Sequence, residues 1–172
     1  MLKRYIPYVH AKSIYDVNVN YFLKENIKVL LLDLDNTLDS YLTKEPTEKA
    51  IELKNKLQRA NIRLFIVSNN TGKRVRRYAN ALGIEYRNSI GKPFAFGLNR
   101  LIKDYGFNKD EVMLVGDQLI TDIAAGNRAK IKTMYTDKVV DEDQITTRFN
   151  RIFEKPKRRR LFKKGLIKDW ED

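Results

Sequence analysis

The sequence predicts an α/β fold, a parallel sheet wrapped by helices on both faces. Three observations lead there. Short β-rich runs alternate with helical patterns, the connections between them are short, and the first run is apolar on both faces. A strand covered on two sides needs no polar face, so Val29-Leu30-Leu31-Leu32 suits the interior of such a sheet.

The elements follow in order. Residues 28–34 read as a buried strand. Residues 46–60 read as a helix, because Ala50, Leu53, Leu57 and Ala60 recur at helical spacing. Residues 62–68 form a second strand, and 73–82 a helix closed by Gly83. Residues 93–105 read as a helix, with Pro93 at its first position and Gly106 after its end. Residues 111–117 are a strand ending in Gly116-Asp117, 121–129 a helix, and 131–136 a further strand candidate. The chain divides into an N-terminal segment, 1–27, packing on the core, a sheet domain, 28–150, and a basic tail, 151–172. Residues 151–168 hold nine Lys/Arg against the single acid Glu154, which marks them as an appendage.

Composition narrows the chemistry. The 172 residues suit one compact domain. With no cysteine there is no disulfide framework, no thiolate zinc site and no thiol nucleophile. The one histidine, His10, rules out a multi-histidine metal site, and the bland reading makes it structural. The formal net charge of +12 predicts an anionic partner. Unbroken apolar runs are far below the ~20 residues that span a bilayer, and residues 1–12 lack a signal-peptide pattern. The expectation is a cytoplasmic protein, peripheral on the inner face of a membrane.

Open parallel sheets bind ligands beyond the C-terminal ends of their strands. Placed on those ends, Asp33, Asp35, Ser68 and Asp117 share one edge, with Asp122 following and Lys92 just before a helix. Crowded carboxylates repel, which is tolerable around a cation or a shared proton. Oxygen donors alone call for a hard ion, Mg²⁺. Next to it, one carboxylate can attack phosphorus, a second can move protons for the leaving alcohol and for water, and Ser and Lys can hold phosphoryl oxygens. Asp122 also fits a plainer reading, an acid in the first turn of a helix.

This arrangement resembles the haloacid dehalogenase (HAD) superfamily of aspartyl phosphatases. Its motifs are Asp33-Leu34-Asp35-Asn36-Thr37, then Ser68 in Val-Ser-Asn-Asn, then Lys92, then Gly116-Asp117-Gln118-Leu119-Ile120-Thr121-Asp122, in that order. The resemblance implies a Rossmann-like core. It implies Asp33 as nucleophile and Mg²⁺ ligand, and Asp35 as general acid/base that ligates the ion through its backbone carbonyl. Thr37, Ser68, Asn69 and Lys92 become phosphoryl-binding residues. Asp117 becomes a Mg²⁺ ligand, and Asp122 a further metal-side residue or a brace.

Two gaps refine this. Asp33 to Ser68 and Ser68 to Lys92 are each filled by one helix, leaving no room for a cap domain, so the site should be open and suit a phosphate on something large. Within the superfamily the chain is similar to the YqeG-like phosphatases of subfamily IIIA, relatives of the mitochondrial phosphatidylglycerophosphate phosphatases. The shared features are Pro7, His10-Ala11-Lys12-Ser13-Ile14, Ser68-Asn69-Asn70 and Lys92-Pro93. That likeness implies conversion of phosphatidylglycerophosphate to phosphatidylglycerol. The expected partners are a lipid-borne phosphate and an anionic membrane surface, with Leu161, Phe162 and Leu166 as shallow anchors among the tail cations. The alternatives are a phosphatase for nucleic-acid ends or another large substrate and, in another class, a non-catalytic phospho-acceptor switch.

Overall fold

The computed structural model describes residues 2–70, 72–139 and 145–172, the last span with side chains from 152 onward. Among them six strands form one wholly parallel sheet. They are β1 (Val9–Ala11), β2 (Val29–Leu32), β3 (Arg63–Val67), β4 (Glu85–Arg87), β5 (Val112–Gly116) and β6 (Lys132–Thr136), in the order β1-β6-β5-β2-β3-β4. The helices are α1 (Val19–Lys24), α2 (Glu48–Arg59), α3 (Lys73–Leu82), α4 (Phe96–Asp104), α5 (Ala124–Ala129) and α6 (Ile145–Lys163).

Alternating side chains along the central strands feed two cores. Leu30, Leu32, Leu64 and Ile66 meet Leu53 and Leu57 of α2 and Val75 and Tyr78 of α3. Leu31, Phe65, Val67 and Leu114 meet Leu98 and Leu101 of α4 and Ala125 of α5. Both faces being covered, every residue of β2 and of β5 is buried. Truncating a core residue such as Leu57, fully buried, to Ala would cost about 2–5 kcal/mol.

The structure departs from the sequence reading in four places. The edge strands β1 and β4 have three residues each, too few for a periodic signal. The helix expected from Pro93 begins at Phe96, because residues 91–94 form a turn closed by Phe94 N–H donating to Gly91 O at 2.9 Å. The helix expected over 121–129 opens as a π-helical turn, Leu119–Ile123, before α5. The basic segment is largely helical and docked. Leu161, expected as a membrane anchor, is fully buried with Ile123, Ala124 and Tyr135. Beyond α6 the chain runs along β1. His10 N–H donates to Lys168 O at 2.7 Å and Trp170 N–H to His10 O at 2.9 Å. The His10 ring lies 3.5 Å from Asp137 and 3.4 Å from Asp169. Among the described residues no helix is long and apolar enough to cross a membrane.

Candidate active site

The strand order decides which side chains meet. β2 lies between β3 and β5, so the first residues past these three strands converge at one edge. Asp33 leaves β2 with its N–H still donating to Val115 O of β5 at 2.9 Å. Asp117 follows β5, and Ser68 follows β3. The π-helical turn swings Asp122 back over Gly116. Asp33, Asp117 and Asp122 are buried, each offering a carboxylate oxygen within 4.8 Å of the others.

Lys92 crosses from the far side of β3 into this group. Its Nζ lies 2.6 Å from Asp33 Oδ1 and 2.7 Å from Asp122 Oδ1, and it donates to Val67 O at 3.1 Å. Burial raises Asp33 well above the usual carboxylate range; Lys92 opposes that rise, while Asp122 and Asp117 add to it. For Lys92, burial disfavours the ammonium, but Asp122 and Asp33 outweigh it and hold its pKa above the usual lysine value. One ammonium cannot neutralise three carboxylates. The donors are all oxygens, so the remaining charge fits a hard divalent cation held by Asp33, Asp117 and Asp122.

The geometry leaves no space beside Asp122. A Cβ on Gly116 would lie 2.3 Å from Asp122 Cγ and 2.6 Å from its Oδ2. That Oδ2 accepts Gln118 N–H at 3.1 Å. The turn is also tied from outside. Leu119 N–H donates to Glu154 Oε1 of α6 at 2.7 Å, and Glu154 is itself buried. Neither Gly116 as a close-contact position nor Glu154 as a brace has a local sequence signal, since both contacts are tertiary.

The remaining expected residues surround the acids. Thr37 Oγ1 is buried 3.5 Å from Asp117 Oδ1. Ser68 is buried, its Oγ accepting Asn70 N–H at 3.1 Å. The Asn69 amide braces the Lys92 backbone from both ends, donating to Lys92 O at 2.7 Å and accepting Lys92 N–H at 2.8 Å. The Asp35 carboxylate lies outside the acid group. It accepts from Asn70 Nδ2 at 2.8 Å and Arg74 Nε at 3.0 Å. Sequence reasoning missed Asn70 and Arg74 in this role. It also missed buried Asp39, which accepts from Tyr78 Oη and from Thr47 N–H at 3.1 Å and so secures the loop after Asp35. Among the described residues no domain is inserted in either gap between the motifs. A groove of about 860 Å³ lies beside the loop that follows the first motif, with Leu38, Asp39, Thr47, Asp137 and Val139 among its lining residues.

Comparison with known proteins fits this picture. A family described as "Haloacid dehalogenase-like hydrolase" matches residues 2–136. The chain is 33% identical over its full length, and over the full length of that protein, to "Probable phosphatase YqeG" of Bacillus subtilis. A shorter stretch, 47 residues covering 27% of this chain and 15% of the relative, is 40% identical to glycerol-3-phosphate phosphatase of Rattus norvegicus. Among solved structures, the cobalt-bound deoxy-D-mannose-octulosonate 8-phosphate phosphatase of Haemophilus influenzae aligns over 76% of this chain and 77% of its own. The TM-score is 0.54 and the identity 19%. An uncharacterized protein from Listeria monocytogenes aligns over 69% of this chain and 85% of its own, with a TM-score of 0.56 and 17% identity. These two likenesses concern the fold.

Proposed function

The chain belongs to the haloacid dehalogenase-like hydrolase family, and on that premise we propose that it is a Mg²⁺-dependent phosphatase acting through an aspartyl-phosphate on Asp33. The observation that carries the reading is the buried group of Asp33, Asp117 and Asp122 bridged by Lys92 at one sheet edge. The full-length relative's description as a probable phosphatase supports it.

An Asp33 carboxylate oxygen attacks phosphorus, and the bond from phosphorus to the ester oxygen breaks. Asp35, presented at the rim by Asn70 and Arg74, gives its proton to the departing alkoxide. The same carboxylate then takes a proton from water, whose oxygen attacks phosphorus. Inorganic phosphate leaves and Asp33 is restored. Lys92 holds the Asp33 carboxylate at 2.6 Å, where it can also meet a phosphoryl oxygen, and Ser68 adds a hydroxyl. Thr37 fixes Asp117. Asp33, Asp117 and Asp122, with the Asp35 carbonyl, would hold Mg²⁺, which would supply charge neutralisation as two anions approach.

The substrate we favour is a lipid-borne phosphate monoester, phosphatidylglycerophosphate. Three features support it: the open site, the net charge of +12, and the likeness to YqeG-like phosphatases. The test is a phosphate-release screen across phosphatidylglycerophosphate, phosphatidic acid, nucleotides and end-phosphorylated oligonucleotides. Highest kcat/KM on the first supports the assignment. Highest kcat/KM on oligonucleotides transfers it to nucleic-acid ends. No release from any ester would overturn the phosphatase reading.

A further inference from the structure

We propose that the rim of the active site is a membrane-docking surface on which Leu42, Phe94, Phe96, Val139, Ile152 and Phe153 enter the headgroup boundary of an anionic bilayer. The inference deepens the lipid-phosphate reading and rests on it for its purpose, though docking can be measured without any substrate.

All six side chains are exposed, with Phe94 at 61%, Phe96 at 65% and Phe153 at 64%. They come from different elements, and each is tied to the site. Leu42 precedes Thr43, whose carbonyl accepts from Arg74, the partner of Asp35. Phe94 and Phe96 follow Lys92 by two and four residues, so backbone spacing of about 3.8 Å per residue keeps them at its side. Val139 N–H donates to Asn36 O at 3.0 Å, inside the first motif. Ile152 and Phe153 precede Glu154, which grips Leu119 beside Asp117 and Gln118. Apolar side chains gathered at one functional edge would make an interaction patch, which singly scattered exposure would not.

The rim is also built to present rings. Gly91 has φ +77°, and the space where its Cβ would be is filled by the Phe96 ring, 2.4 Å away. Phe96 stacks on Phe94, with centroids 6.5 Å apart and planes 29° apart. Arg128 Nη1 donates to the Pro93 carbonyl just before them at 2.7 Å. The two phenylalanines are thus held outward by a close-packed turn.

Charge selects the occupant. Exposed Lys44, Arg128 and Lys155 lie next to the apolar residues in sequence or contact. Among the described residues, the rim acids Asp35, Glu45 and Asp137 are paired with Arg74, Arg77 and Arg158. A surface with apolar points, exposed cations and compensated acids matches an anionic interface. Single-stranded nucleic acid would want stacking aromatics along a cationic groove, whereas Leu42, Val139 and Ile152 cannot stack.

The test uses the full chain and two paired variants, Phe94→Ser/Phe96→Ser and Ile152→Ser/Phe153→Ser. Sedimentation is measured with phosphatidylglycerol vesicles and with phosphatidylcholine vesicles, neither containing substrate. The expected result is binding of the wild type to the anionic vesicles only, weakened at least tenfold in each variant. Turnover of p-nitrophenyl phosphate should stay within twofold. As a second measurement, Phe96→Trp should shift its emission to the blue on anionic vesicles. The proposal is overturned if the wild type ignores those vesicles, or if both variants bind as well as it does. It is also overturned if the variants lose affinity for a single-stranded oligonucleotide and not for vesicles. If docking holds while phosphatidylglycerophosphate in detergent micelles is not hydrolysed, the substrate assignment alone fails.

Discussion

Replacing Gly116 by alanine tests how tightly the site is built. The new Cβ would lie 2.3 Å from Asp122 Cγ, 2.5 Å from its Cβ and 2.6 Å from its Oδ2. Carbon atoms rest about 3.5–4.0 Å apart, so Asp122 would have to retreat by about 1.2 Å or more. It has no slack, since Oδ1 is 2.7 Å from Lys92 Nζ and Oδ2 accepts Gln118 N–H at 3.1 Å. A retreat of that size takes both contacts beyond hydrogen-bond range. A displacement of about 1 Å at a reacting centre costs about 10²-fold, or ~2.7 kcal/mol of barrier. Overpacking should also remove about 1–3 kcal/mol of stability, a fall in Tm of about 2–4 °C per kcal/mol for a chain this size. The assay is kcat/KM for phosphate release at saturating Mg²⁺, with Tm measured in parallel. An Asp122→Gly background supplies the control: with the carboxylate and the Cβ both gone, the methyl group added by Gly116→Ala should bring little further loss. Wild-type kcat/KM for Gly116→Ala, or an equal loss in both backgrounds, would refute the close-contact reasoning.

Other expectations can be checked together. Asp33→Asn should lose about 10³-fold or more in turnover while keeping its fold, as monitored by circular dichroism; turnover at the wild-type rate would exclude an aspartyl-phosphate on Asp33. Asp35→Asn should lose about 10²–10⁴-fold on alkyl esters and less in phosphoenzyme formation from an activated aryl ester; equal losses on both would contradict a proton-transfer role. Mg²⁺ should raise the Tm of the wild type and much less that of Asp117→Asn, read by calorimetry with chelator as the zero. The His10 ring and then Arg158 hold the Asp137 carboxyl below its usual range, against the opposing effect of burial. A lowered folded pKa gives stability that is present above the unfolded value of about 4 and lost as pH falls through the folded one. Denaturant melts should therefore show Asp137→Asn less stable than wild type at pH 7, with the gap closing below pH ~4; a gap constant with pH would contradict the assignment.

The parts of this molecule legible in the sequence are those governed by local chemistry. β2 and β5 are readable because burial on both faces demands an unbroken apolar run. The acids are readable because strand ends place them. β4 is not, since its three residues are all half-buried and give no alternation. Arg74 and Asn70 escape notice because their partner, Asp35, lies on another element. The start of α4 is ambiguous because proline is compatible both with a helix's first turn and with the turn before it. The basic run from Arg151 to Lys168 looks solvated because its charges outnumber the two groups that dock α6, Leu161 and Glu154.

The position of β1 bears on the order of events during synthesis. Its backbone is bracketed by β6 on one side and by residues 168–170 on the other. A ribosome delivers β1 before the rest of the sheet, yet both of its neighbours come late. The interior strands β2, β3 and β5 can pair as they emerge, whereas three residues at the N-terminal end cannot hold a place alone. Assembly should therefore run from the middle of the sheet outward, with the first strand among the last to be seated. A chain released before Trp170 would carry an uncovered strand edge, the feature by which nascent chains recruit one another.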